Sequence, residues 1–151
     1  GDWSSDVCSS DLGLPVLLAM DAVITTLLPN GDTRSIAMSE FIKGYRQTAL
    51  QSGEVITSIQ LEGIGDPHDY RKVTKRYEDD ISAVCGAFRW RVESDRLVLA
   101  RVAYGGVAER PLRLMETESL LTSRALTPNL IEEAVEIARR EVSPQIGRAH
   151  V

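Results

Sequence analysis

Residues 82–92 and 96–104 form two long apolar-rich runs on either side of Glu93-Ser94-Asp95. Chain that leaves one extended run and enters another within three residues has to fold back as an antiparallel hairpin. A parallel partner would need a crossover of a dozen residues or more. Strict two-residue alternation in the second run puts Leu97, Leu99, Arg101 and Ala103 on one face. Val98, Ala100, Val102 and Tyr104 then take the other face, and Gly105-Gly106 ends the strand.

Further signals flank this hairpin. Residues 13–28 are the most apolar stretch, but Asp21 interrupts it and the run is shorter than the ~20 residues a membrane helix needs. Val23 to Thr26 favour a strand. The turn Pro29-Asn30-Gly31-Asp32 returns the chain into a partner at residues 33–37. Residues 39–42 read as one helical turn ended by Gly44, and residues 54–61 as another strand, after which Gly63, Gly65 and Pro67 break the chain. Residues 70–76 form a cationic strand running into Asp79-Asp80. Two helices close the sequence. The first covers residues 111–121, with Leu114, Met115 and Leu121 on its apolar stripe. The second starts with Thr127 as N-cap and Pro128 in the first turn, and Leu130, Ile131, Ala134, Val135, Ile137, Ala138 and Val142 face the core. Strands followed by helices indicate an α+β fold. The break near residue 66 divides the chain into residues 13–66 and residues 67–145.

A net charge of −5 over 151 residues argues against a nucleic-acid surface, and ordinary apolar and charged fractions describe an intracellular globular chain. The two ends read differently. The codons ATC GGA AGA GCA CAC GTC encode Ile146 to Val151, and their reverse complement encodes Asp6 to Asp11. That string is similar to a common sequencing adapter, so residues 1–12 and 146–151 are expected to be non-native tails. Cys85 and His68 are then the single Cys and His that remain. Neither a disulfide nor an imidazole pair for a metal can be built from them.

Lys72, Lys75 and Arg76 precede Glu78, Asp79 and Asp80. The segment suits either a loop presenting cations to an anionic ligand or a solvated, salt-bridged turn. The neighbourhood lacks enough oxygen ligands for a metal at Asp79 and Asp80. Cys85 reads as a small core residue, His68 as an exposed loop residue, and Trp90 as packed on a sheet face. Neither phosphate-loop fingerprint occurs, and no catalytic residue is assigned.

Three motifs go further. Gly44-Tyr45-Arg46-Gln47-Thr48-Ala49-Leu50 followed by Gly53-Glu54-Val55-Ile56-Thr57-Ser58-Ile59 is the first. The second is Lys72-Val73-Thr74-Lys75-Arg76-Tyr77-Glu78-Asp79-Asp80-Ile81-Ser82-Ala83-Val84, and the third is Ala103-Tyr104-Gly105-Gly106-Val107-Ala108. In that order and spacing they resemble the flavin subunit of the molybdenum hydroxylases, in its xanthine dehydrogenase branch.

The resemblance implies the end of an FAD-binding α+β subdomain followed by an antiparallel sheet with two C-terminal helices, as in the carbon monoxide dehydrogenase flavoprotein C-terminal domain. It implies FAD as cofactor, with Ile56 as an apolar flavin contact, Lys72 as a lysine at the flavin and Asp79 on a loop over the ring. It further implies electrons reaching FAD from molybdenum through iron–sulfur clusters and leaving to NAD or another acceptor. The implied partners are a molybdenum-cofactor-binding large subunit and an iron–sulfur domain of the same or a neighbouring chain, in the cytoplasm and in purine catabolism. The family's glycine-rich pyrophosphate loop and its metal ligands lie outside this segment, so the fragment alone is expected to be inactive. A carbon monoxide dehydrogenase or aromatic hydroxylase flavin subunit and a cofactor-free interaction module are the alternatives.

Overall fold

Pro15 presets the backbone for a helix's first turn, and the apolar N-terminal stretch begins as helix α1 (Leu14–Ala19). The chain then reverses through Asp21, whose φ of 45° is left-handed, into strand β1 (Val23–Leu27). Gly31, at φ 91°, and an Asn30–Asp32 side-chain bond of 2.7 Å form the turn to β2 (Thr33–Ala37). After α2 (Met38–Phe41), β3 (Ile42–Gly44) and β4 (Gln47–Thr48), strand β5 (Val55–Gln60) completes an antiparallel sheet in the order β2-β1-β5. Four further strands, β6 (His68–Thr74), β7 (Ser82–Glu93), β8 (Arg96–Gly105) and β9 (Leu112–Arg113), form a second antiparallel sheet in chain order. Helices α3 (Met115–Leu121) and α4 (Pro128–Glu141) follow. This computed structural model describes residues 13–44, 47–74, 82–122 and 124–142. Asp79, its charged neighbours Lys75, Arg76, Glu78 and Asp80, and both terminal tails lie outside the described residues.

Two apolar clusters sit on opposite faces of the four-stranded sheet. Leu18, Ala19, Ala22, Ile24, Ile36, Met38 and Phe41 pack with Ala87 and Ala103 on one face. Leu97, Ala100, Val102, Leu114, Leu121, Leu130 and Ala134 pack on the other. Helix α1 therefore lies against β7 and β8 on one side while α3 covers β8 on the other and packs on α4. The α+β architecture agrees with the sequence reading, as do the two-residue turn at Ser94 and Asp95 (φ 48° and 61°) and the Thr127 cap, whose Oγ1 accepts from Leu130 N at 3.2 Å. Cys85 is fully buried and Trp90 packs against the second cluster.

Several expectations need correction. Leu97 joins Ala100 and Val102, not Leu99 and Ala103, because a bulge intervenes: Arg91 faces Leu99, Val92 faces Leu97, and Val98 has no partner in the register. The helix expected from residue 111 begins at Met115, since Leu112 and Arg113 pair with Tyr104 and Ala103 as strand β9. Met115 is exposed, and in α4 Ile131 and Val135 are each 44% exposed, because only the narrower stripe through Leu130 and Ala134 enters the second cluster. Ile42 starts strand β3, and His68 begins strand β6 instead of standing in a loop.

Candidate functional site

Strand β5 is anchored at its entry by one buried carboxylate. Gly53 takes φ 76°, with Pro29 so close that a Cβ would meet its Cγ at 2.9 Å, and this delivers Glu54 into the sheet. Glu54 has no exposed side-chain surface and accepts from Arg34 Nε at 2.6 Å, Arg34 Nη2 at 2.8 Å, Thr26 Oγ1 at 2.5 Å and Gln51 N at 2.6 Å. The Arg34 guanidinium, aided by the Thr26 and Gln51 donors, holds this carboxyl at about 2 against the cost of burial. The Gly-Glu pair of the first motif is thus a structural anchor.

Beyond that anchor the strand carries a bulge. Ile24 faces Ile59, Thr25 faces Ser58 and Thr26 faces Ile56, so Thr57 has no partner in the register. Its Oγ1 donates to Thr25 O at 3.1 Å. Residues directly opposite one another share a face. The row Ile36–Ile24–Ile59 therefore runs from 7% through 2% to 45% exposed, and Ile56, at 44%, lies on the same face beside the buried Thr26. This is the face that buries the core; past β1 nothing among the described residues covers it.

Among the described residues, Lys72 stands on an edge strand of the second sheet. It faces Cys85 across β6–β7, and the next row is Tyr70, Ala87 and Ala103, the residues that pack with α1 and Ile24. Lys72 is exposed and has no ion-pair partner among the described residues, whereas its neighbour Arg71, on the opposite face, is held by Asp69 at 2.7 Å. Ile56 and Lys72 thus lie on edge strands of two sheets, each on the face turned to the shared core. Asp79 is outside the described residues.

An ionic network further along the same sheet face was not read from the sequence. Asp21 accepts from Arg89 Nη2, Arg101 Nε and Arg113 Nη1, each at 2.7 Å. Arg113 also binds Glu118, which in turn accepts from Val102 N at 2.9 Å. Asp66 takes Arg91 Nε at 2.8 Å, and that contact with Arg91 lowers its pKa despite burial. Arg89 Nη1 donates to Glu62 O at 2.8 Å, fixing the connection between β5 and β6. The signal in the sequence was Asp21 itself, a carboxylate inside the most apolar run. No group of three or more metal-ligating side chains occurs among the described residues, and no helix there is long and apolar enough to cross a membrane.

Residues 69–151 match the family described as CO dehydrogenase flavoprotein C-terminal domain, and residues 5–61 match the FAD binding domain in molybdopterin dehydrogenase. The matches take in parts of both terminal segments. A xanthine dehydrogenase of Arabidopsis thaliana is 34% identical over 140 residues, 88% of this chain and 10% of its own length. The aldehyde oxidoreductase FAD-binding subunit of Escherichia coli K12 is 34% identical over 122 residues, covering 77% of this chain and 37% of its own. A chain of the carbon monoxide dehydrogenase from Hydrogenophaga pseudoflava superposes with a TM-score of 0.82 at 25% identity, over 94% of this chain and 50% of that one. The chain belongs to the flavoprotein family of the molybdenum hydroxylases. It spans from a tenth to half of the length of these relatives.

Proposed function

We propose that this chain forms the flavin-proximal part of a xanthine dehydrogenase-type oxidoreductase, with FAD as its cofactor. The division near residue 66 would separate the end of the FAD-binding subdomain from the C-terminal domain. The observation that carries the reading is the placement of Ile56 and Lys72: an apolar side chain and a cation, each without a cover or ion-pair partner among the described residues, on the core-turned faces of two edge strands. Such a pair fits an aromatic ring system that is uncharged on its face and gains negative charge on reduction. When bound, FAD would supply electron exchange between iron–sulfur clusters and an acceptor such as NAD. Ile56 would exclude water from the ring face. Lys72 would hold positive charge beside the ring, and the Glu54 anchor would fix the height of Ile56 in the strand. Asp79 enters this proposal through the sequence pattern alone. A molybdenum-cofactor-binding subunit and an iron–sulfur domain are the proposed partners, and the oxidised substrate is chosen on the former.

The test is the flavin potential of the full-length complex carrying Lys72→Met. Removing the cation should lower it by about 30 mV, the equivalent of about 1.4 kcal/mol for a two-electron couple. A complex purified without flavin, or an unchanged potential, would refute the proposal.

A further inference from the structure

Counted from Ile59 by strict alternation, Thr57 and Val55 would share its face and Ile56 would point away. The observed register does the opposite. Ile56 opposes Thr26 and Ile59 opposes Ile24, two core-facing β1 positions that are both buried. Val55 opposes Leu27 on the other face. The extra residue, Thr57, makes the difference, and its Oγ1 bond to Thr25 O secures the irregular backbone. A bulge forfeits part of the hydrogen-bonding ladder, and in β5 no buried apolar contact offsets that loss, since Ile56 and Ile59 both stay nearly half exposed. What this bulge achieves is two isoleucines side by side, both nearly half exposed, at an edge that is free among the described residues.

We propose that the Thr57 bulge builds a two-residue apolar platform for the face of the flavin ring, and that Ile59 is a contact residue in addition to Ile56. This rests on the flavin reading above and extends it. Two positions along a strand face lie roughly 7 Å apart, the scale of two fused six-membered rings. A single isoleucine would leave half of such a surface wet. Thr57 acts as a positioning residue, since it works through the side chains on either side of it.

The experiment uses the full-length flavin subunit in its complex, with FAD as the probe. Affinity is read from FAD retention on dilution, and ring environment from the resolved bands of the visible absorption spectrum. Ile56→Ser and Ile59→Ser should each weaken FAD binding about tenfold and blur those bands, because each wets part of the ring. Val55→Ser should leave both unchanged. Ile59→Val should keep binding near the parent value, as expected where an apolar surface is what the ring meets. An active Val55→Ser with a silent Ile56→Ser would mean that the strand is regular and would overturn the bulge. An active Ile56→Ser with a silent Ile59→Ser would overturn the platform while leaving the flavin reading intact. If Ile56→Ser, Ile59→Ser and Lys72→Met are all silent, the flavin reading itself fails.

Discussion

Two bulges in this molecule perform the same geometric operation with opposite outcomes. In β8, Val98 drops out of register and brings Leu97 onto the face of Ala100. In β5, Thr57 drops out and brings Ile56 onto the face of Ile59. Each turns an apolar pair spaced three apart, which alternation would split, into neighbours. Leu97 ends 4% exposed beneath the C-terminal helices, whereas Ile56 and Ile59 end near 45% in the open. The first repays its irregularity inside the chain. The second leaves its apolar surface for something beyond the described residues to cover.

The largest effect expected from this contrast is at Leu97. Leu97→Ala should destabilise the chain by about 3 kcal/mol in denaturant unfolding, within the usual range for a buried leucine. A loss below about 1 kcal/mol would mean that the β8 bulge is not a packing device. Asp21→Asn comes next, because it strips the shared counter-ion from three arginines. A loss of about 2 kcal/mol is expected, below the 3–5 typical of fully buried pairs since Asp21 keeps some solvent access. Crystallography or chemical-shift mapping should show the change spreading to β7, β8 and β9.

The anchor of β5 answers to acid. Glu54 is ordinarily half-protonated near pH 4.3 and is held at about 2 here by Arg34 and its other donors. Its contribution is therefore complete above about pH 4.3 and is lost as pH falls through about 2. Glu54→Gln should flatten the stability profile across that window; an unaltered slope would remove the anchor from the account. The smallest effect belongs to Ile59→Ser, expected to shift unfolding of this chain by no more than about 0.5 kcal/mol, as at other exposed positions. A loss like that of Leu97→Ala would place Ile59 in the core and dissolve the contrast between the bulges.

Periodicity revealed the hairpin, the cap of α4 and the α+β order, because each rests on contacts close in sequence. It misplaced Leu97 because a bulge depends on the partner strand's register, which one strand's pattern does not carry. It extended the first C-terminal helix back to residue 111 because propensity for Leu112 and Arg113 is overridden by pairing with Tyr104 and Ala103. For the proposed site, the charge pattern offered the segment from Lys72 to Asp80 as one of two readings, while Ile56 and the flavin roles of Lys72 and Asp79 came through motif resemblance. The reason for the Gly-Glu step, the company of Ile59 and the arginines around Asp21 required three dimensions. Asp21 meets Arg113 across 92 positions of chain, a distance no local rule spans.

The convergence on Asp21 also bears on recombination between relatives. A chimera taking residues 13–61 from one parent and residues 69–142 from another would inherit Arg89, Arg101 and Arg113 from the second but their shared carboxylate from the first. If the donor of the leading segment lacks an acid at position 21, three guanidiniums lose their shared counter-ion at the seam, and Glu118 and Asp66 alone must balance them. Swaps that carry position 21 along with its arginines, leaving the rest of the leading segment to vary, are the ones that should yield soluble protein.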